Sequence, residues 1–304
     1  MKLGIKVGLK SDWKSDLGVT HPQFCEFWFH AKHIPDYDPL FVYCKQQNII
    51  TGLHFWGATS TGILANLAYP NNEILNKSRK MVQDTIDVAA KNNSVYLNIH
   101  PAGAVLTKVD FIKEEFVPYP NSIPYDKTLE ILRESLGQLA NYALHKGVIL
   151  TVESVPARAL GHPWTGKEGR TKPTDIGEFP VADIEKILPI ENLYFANDFG
   201  HTAANVVSTD RVAVKEKLFD IARRLAPITK LLHVSYIIAP YNGTDYHGCL
   251  YNTELQTDSA VPNNTELKEL LKLFKNRTDV YALVEPEKDH PGNFRTLQNL
   301  INEL

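Results

Sequence analysis

The sequence lacks the features of a membrane, fibrous or multidomain protein. No apolar run is long enough to cross a bilayer, and lysines interrupt the N-terminal segment MKLGIKVGLK too closely for the core of a signal peptide. There is no internal repeat, no low-complexity tract and no Gly/Ser-rich or Pro-rich linker. We therefore expect a single domain over residues 1–304 and no membrane partner.

Cysteine is scarce, with only Cys25, Cys44 and Cys249 in the chain. Their spacing is neither that of a metal knuckle nor that of a redox pair, so we interpret them as reduced thiols and expect a cytoplasmic protein. Charge of one sign is also lacking. A net charge of -3 provides no global attraction for nucleic acid, although a local basic patch is compatible with it.

What the sequence does have is a regular alternation of strand-like and helix-like segments. Strands are predicted over residues 3–9, 25–30, 49–55, 95–100, 148–153, 193–198, 230–236 and 280–285. Helical spacing of apolar residues is clearest over residues 72–93, 126–147 and 210–225, and two more such segments, 266–276 and 293–304, close the series. The alternation predicts an α/β fold, a (β/α)8 TIM barrel. A doubly wound open sheet is the alternative, because alternation alone cannot show closure.

Acidic residues and histidines stand where several of these strands end. They are His100, Glu153, Asp198 with His201, His233, and Glu285. Active sites of this barrel lie at the carboxyl ends of the strands, so these side chains should converge on one rim. A single strand-end glutamate is more often a salt-bridge partner. Several of them beside apolar runs favour a divalent ion, because the ion removes the cost of burying the carboxylates, and oxygen with imidazole suits zinc or manganese.

The segment from residue 72 to HPAG at residue 103, followed by NDFGH, LLHV, DYH and VEPE, resembles the xylose-isomerase-like superfamily of TIM barrels. The resemblance covers roughly residues 49–288 and is strongest to the family 2 apurinic endonucleases, the endonuclease IV group. That group has nine metal-binding residues in a fixed chain order. The matching positions here are His54, His100, Glu153, Asp198, His201, His233, Asp245, His247 and Glu285.

The resemblance implies up to three Zn2+ ions and an activity on DNA with an abasic site. His54 and His100 would bind a first ion, which Glu153 bridges to a second. Asp198, His233 and Glu285 would complete the second site, and His201, Asp245 and His247 would form the third. A hydroxide held between two ions would attack phosphorus, so the predicted activity is zinc-dependent phosphodiester hydrolysis.

Other residues are candidates for contact with the substrate. Phe55 and Trp56 could form a stacking wedge or could pack under the rim of the barrel. The loop after Glu153 is basic, and it would suit phosphate contacts or would be an ordinary solvated surface loop. Its basic residues are Arg158, Lys167, Arg170 and Lys172.

A sugar isomerase or epimerase on the same barrel is the alternative function. Such relatives hold one divalent ion, Mn2+ or another, with residues that match Glu153, Asp198, His233 and Glu285. Glu153 and Glu285 would then act as the catalytic acid/base pair on a small sugar or sugar phosphate. Glu26 resembles the second-strand acid of that group, although an interior salt bridge also explains it. A third class, a metal-free scaffold, would require the polar rim residues to be structural.

Overall fold

The computed structural model describes residues 1–101, 103–110, 115–118, 125–156, 179–206, 208–241, 243 and 245–304. The strands in this part of the chain are β1 (Lys2–Val7), β2 (Phe24–His30), β3 (Ile50–Trp56), β4 (Tyr96–Ile99), β5 (Thr107–Asp110), β6 (Glu115–Pro118), β7 (Ile149–Glu153), β8 (Leu193–Asp198), β9 (Thr229–His233), β10 (Ile237–Ile238), β11 (Ala260–Val261) and β12 (Tyr281–Leu283). Eight of them pair in parallel and close into a barrel in the order β1, β2, β3, β4, β7, β8, β9, β12. The predicted TIM barrel is confirmed, and the open sheet is excluded. The remaining strands form two antiparallel pairs, β5 with β6 and β10 with β11, which the sequence did not predict.

Helices alternate with the barrel strands. Those in the described part are α1 (Trp13–Thr20), α2 (Asp38–Gln46), α3 (Asn72–Lys91), α4 (Tyr125–His145), α5 (Val181–Ile187), α6 (Phe199–Ala204), α7 (Arg211–Leu225), α8 (Asn264–Lys272) and α9 (His290–Asn302). Short 3-10 turns span Ala31–Tyr37, Ala226–Ile228 and Thr253–Gln256. None of the helices described is both long enough and apolar enough to cross a membrane.

Helix α3 illustrates why the long helices were predictable. The Asn71 side chain accepts hydrogen bonds from the backbone N–H groups of Glu73 and Ile74, which caps the first turn. Its buried residues recur at helical spacing and include Leu75, Val82 and Ile86. Helix α6 has no such pattern because every one of its residues is buried. A helix without a polar face leaves no periodic signal, and it was missed.

The barrel interior is layered. Its floor is a small apolar cluster of Phe24, Tyr96, Ala196, Leu231, Tyr281 and Leu283. Side chains two residues further along a strand point to the same face. The interior layer above the floor is therefore formed by Glu26, Asn98, Asp198, His233 and Glu285, together with Lys6, His54 and Glu153 from the other strands. All eight side chains are buried, so the fold itself places acids, histidines and a lysine in one enclosed layer.

Candidate metal centre

The nine side chains predicted as metal ligands converge at the carboxyl ends of the strands. Among the described residues they form three groups, and within each group one ligand atom per residue lies within 4.8 Å of the others. The first group is His54, His100 and Glu153; the second is Glu153, Asp198, His233 and Glu285; the third is His201, Asp245 and His247. Glu153 belongs to two groups. The structure thus brings together the sets that the resemblance implies, and their role as ligands remains a prediction.

The second group contains buried polar atoms without hydrogen-bond partners. His233 Nδ1 lies 3.3 Å from Glu153 Oε1, 3.8 Å from Asp198 Oδ2 and 3.3 Å from Glu285 Oε2. Each of these four atoms is buried and lacks a hydrogen-bond partner in the described part of the chain. Ligands of a tetrahedral zinc ion lie about 3.3–3.6 Å from one another, given bonds of about 2.0–2.2 Å. One divalent ion would satisfy all four atoms, so the second group fits a metal ion.

Local hydrogen bonds hold the two central carboxylates of this group. Asp198 ends β8 and caps α6, because its Oδ1 accepts from the backbone N–H of His201 at 2.7 Å. Oδ1 also accepts from the Ser235 hydroxyl, which leaves Oδ2 for the group. The Asn98 amide donates to Glu153 Oε2. Thr151 fixes that amide by donating to Asn98 Oδ1 at 2.8 Å. Asp198 therefore uses one oxygen for structure and presents the other, whereas the Asn98 hydrogen bond fixes the orientation of the Glu153 carboxylate.

In the third group, backbone carbonyls orient both imidazoles. Nδ1–H of His201 donates to the carbonyl of Ser154 at 3.0 Å, and Nδ1–H of His247 donates to the carbonyl of Glu285 at 2.9 Å. Their Nε2 atoms lie 3.0 Å and 2.9 Å from the same oxygen, Asp245 Oδ1. A carbonyl that accepts from one ring nitrogen leaves the other as the ligand, which is the arrangement found in metal sites.

The first group lies closest to solvent. His54 Nε2 is 3.2 Å from His100 Nε2 and 3.6 Å from Glu153 Oε2. The His100 side chain is 38% exposed, whereas that of His54 is 7% exposed. A substrate that reaches the centre from the rim would meet His100 before the buried second group.

The close packing of acids and histidines in these groups shifts their pKa values. Burial alone would lower the pKa of His247, but Asp245 outweighs it and raises that pKa to about 9. Burial likewise works against charge on His201 and His233, yet neighbouring carboxylates raise both pKa values well above the ordinary range. Burial would raise the pKa of Glu285, but Lys6 and the histidines lower it to about 2. Protonated imidazoles balance the negative charge of the carboxylates in these groups, and bound metal ions would balance it instead.

Sequence reasoning missed Lys6 and gave Glu26 no definite role. Glu26, His54, His233 and Glu285 form a fourth group of potential ligands. The Lys6 ammonium lies inside it, 3.1 Å from Glu26 Oε1 and 2.6 Å from Glu285 Oε1. Lys6 therefore adds a positive charge to this group. The available signal was its parity, because Lys6 follows Gly4 on the face of β1 that points into the barrel.

The predicted substrate contacts have different positions. Phe55 is partly buried and packs against the hydrophobic core, and its role as a stacking wedge remains a prediction. The Trp56 ring lies 4.8 Å from that of His30 at the end of the neighbouring strand. Trp28, which was not predicted, is 45% exposed and covers Lys6, whose Nζ is 5.1 Å from the ring centre. The basic loop residues Arg158, Lys167, Arg170 and Lys172 lie outside the described residues.

Comparisons with known proteins support the fold. No family model matches the sequence, and no curated protein sequence matches it. A D-tagatose 3-epimerase-like protein has a similar structure, with a TM-score of 0.65 and 14% identity over 100% of this chain and 97% of that one. D-psicose 3-epimerase from Clostridium cellulolyticum, solved with D-tagatose, has a TM-score of 0.60 and 14% identity over 99% and 92% of the two chains. Endonuclease IV from Thermus thermophilus has a TM-score of 0.58 and 13% identity over 100% of both.

These neighbours cover nearly the whole of this chain, and the likeness supports the TIM-barrel fold that the sequence predicted. They include both sugar epimerases and an endonuclease. Identities near this level establish a shared fold and leave the activity to be argued from the site.

Proposed function

We propose that this protein is a multinuclear, zinc-dependent phosphodiester hydrolase that cleaves DNA at abasic sites. The observation that carries the proposal is the division of nine side chains into three groups, two of which share Glu153. A sugar epimerase needs only one such group. The third group has no carboxylate in common with the other two, and backbone carbonyls prepare both of its imidazoles for ligation.

Different side chains would have different roles in such a reaction. Divalent ions held in the groups would lower the pKa of bound water and neutralise charge on a phosphate. Glu153 keeps the first and second groups at a fixed separation, because its two oxygens face different groups. Lys6 adds a fixed positive charge next to Glu285. Since the metal centre supplies the nucleophile, no serine or cysteine nucleophile is required.

The aromatic side chains at the rim suit a substrate with a ring and little charge on it. Trp28 and Trp56 occupy inward-facing positions on neighbouring strands, at the ends nearest the metal groups. An abasic deoxyribose can leave the duplex at low cost because no base has to be unstacked. Its flanking phosphates would then reach the metal groups while the sugar packs against the indoles.

A second candidate function is a mononuclear sugar isomerase or epimerase. It is favoured by the second group, which holds four of the buried atoms without hydrogen-bond partners and fits one ion by itself. Glu153 and Glu285 would be the acid/base pair. Several neighbours of the fold are sugar epimerases by name.

Incubation with a duplex oligonucleotide that contains one tetrahydrofuran abasic analogue tests the proposal. We expect a single nick beside the analogue, no cleavage of the undamaged duplex, and loss of cleavage with a strong chelator. Glu153→Gln keeps the size of the side chain but removes its charge, and we expect activity to fall by orders of magnitude. An intact oligonucleotide, together with epimerisation of a ketose by the same preparation, would establish the second function instead.

Glu266→Gln is the matched control for that substitution. Glu266 is also a buried carboxylate, paired with Arg211 at 3.0 Å and with Lys215 at 3.2 Å, but it lies on α8 and belongs to none of the four groups. Its loss should reduce stability without changing cleavage by the folded fraction.

A further inference from the structure

A histidine can bind a metal ion only when its ligating nitrogen carries no proton. A hydrogen-bond acceptor at the other nitrogen fixes this tautomer and the ring orientation. In the third group the acceptors are carbonyls of the main chain. Within the described part of the chain, no carbonyl accepts a hydrogen bond from His54 or His233, and both contact Glu26 instead.

One oxygen of Glu26 contacts the imidazoles of both His54 and His233. Glu26 Oε1 lies 3.3 Å from His54 Nδ1 and 3.0 Å from His233 Nε2. The opposite nitrogens face the metal groups, since His54 Nε2 points to His100 and Glu153 while His233 Nδ1 points into the second group. The two rings therefore present different nitrogens to the ions, although they share one acceptor.

We propose that Glu26 is a positioning residue for two metal groups at once. When ions bind, its Oε1 would accept from Nδ1–H of His54 and from Nε2–H of His233, which leaves His54 Nε2 for the first group and His233 Nδ1 for the second. The other oxygen, Oε2, is held by the Tyr96 hydroxyl at 3.0 Å, so the carboxylate cannot turn away. This role rests on the metal binding of the proposed function and is independent of its substrate.

Lys6 also contacts the Nδ1 atom of His54 that faces Glu26. Its Nζ lies 2.5 Å from that nitrogen, and two N–H donors cannot point at each other over that distance. When Nδ1 accepts from Lys6, the ring proton lies on Nε2. Binding of an ion to Nε2 requires that proton to move to Nδ1 and that Lys6 turn to Glu285 and Glu26. Lys6 thus competes with a metal ion for the tautomer of His54.

Titration of the chelator-treated protein with Zn2+ against a chromophoric chelator tests this. Loss of an outer-shell partner typically weakens metal binding about 10- to 100-fold, and we expect that loss in Glu26→Gln at two of the ions. Lys6→Met should bind the ion of the first group more tightly than wild type. Glu266→Gln should bind zinc as wild type does. Wild-type zinc affinity in Glu26→Gln would overturn the role of Glu26. Unchanged zinc affinity in Lys6→Met would overturn the competition between Lys6 and the metal ion.

A measurement on the wild-type protein covers the case in which a variant does not fold. Long-range 1H–15N correlation spectra of the zinc-loaded chain report imidazole tautomers. We expect a proton on Nδ1 of His54 and on Nε2 of His233, and the reverse pattern would overturn the role of Glu26. Absence of zinc binding by the wild type would instead refute the proposed function.

Discussion

At the scale of single residues, Trp28 is an exposed aromatic side chain beside the metal groups. It is 45% exposed, whereas Phe24 and Glu26, on the same face of the same strand, are fully buried. The indole covers Lys6, so one of its faces is directed into the metal centre and the rest toward solvent. Exposed aromatic rings beside a polar site are typical of ligand contact.

We expect Trp28→Ala to weaken substrate binding with little effect on kcat or on stability. Loss of a stacking ring costs about 1–3 kcal/mol, so KM should rise about 5- to 150-fold, and Trp28→Phe should retain most of the affinity. Steady-state kinetics on the abasic duplex would measure both. Equal KM values in wild type and Trp28→Ala would remove Trp28 from the substrate site.

The sequence predicted which side chains converge better than it predicted the residues around them. All nine predicted ligands lie in the three groups, because strand ends and short motifs such as DFGH and DYH mark their positions. Lys6 was missed because a lysine in a short strand is normally a surface residue. Asn98 was missed because its partner Glu153 is distant in sequence and only the pairing of β4 with β7 brings them together.

At the scale of elements, the eight barrel strands were all predicted, and the ends of β2, β7 and β8 were predicted correctly, whereas those of β9 and β12 were not. Residues 230–236 were expected to be one strand, but β9 ends at His233 and the chain then turns so that Ser235 reaches Asp198. A site at the strand ends depends on where each strand stops and the chain turns, and the alternation of apolar residues does not predict these points. The pairing register of the strands at the barrel floor is more constrained than the strand ends, because the Tyr96 ring lies where a side chain at position 52 would be and only glycine leaves room for it.

Gly52→Ala should destabilise the barrel, and Gly137→Ala should not. A Cβ at Gly52 would lie 2.2 Å from the Tyr96 ring, which overpacks the floor and should cost about 1–3 kcal/mol in free energy of unfolding. Gly137 lies within α4 with nothing within 4 Å of an added Cβ, so alanine should add about 1 kcal/mol through helix propensity. Urea denaturation of the chelator-treated proteins measures both. A neutral Gly52→Ala would contradict the layered interior.

At the scale of the whole molecule, the ligands come from segments between His54 and Glu285, so bound ions would link strands around most of the barrel. The carboxylates of these groups raise the pKa values of the neighbouring imidazoles, so that protonated histidines balance the negative charge. Metal ions and protons therefore compete for the same nitrogens.

Zinc binding should release protons, and its affinity should fall as the pH falls. The pKa of His247 is raised to about 9 in the ion-free chain, so this histidine carries a proton at neutral pH and must lose it to bind zinc. Below that pKa each such histidine should change the apparent affinity about tenfold per pH unit. Calorimetry in two buffers of different ionisation enthalpy would count the protons, with about two fewer in His247→Ala, because loss of the third ion leaves His201 protonated as well. Equal heats in the two buffers would contradict this competition.

The most direct measurement is the zinc content of the purified chain and of His247→Ala by elemental analysis. A multinuclear hydrolase should hold two or three zinc ions per wild-type chain, and the variant should lose about one because His247 belongs only to the third group. A single ion per chain, present in equal amount in wild type and His247→Ala, would contradict the proposed multinuclear centre and favour the epimerase.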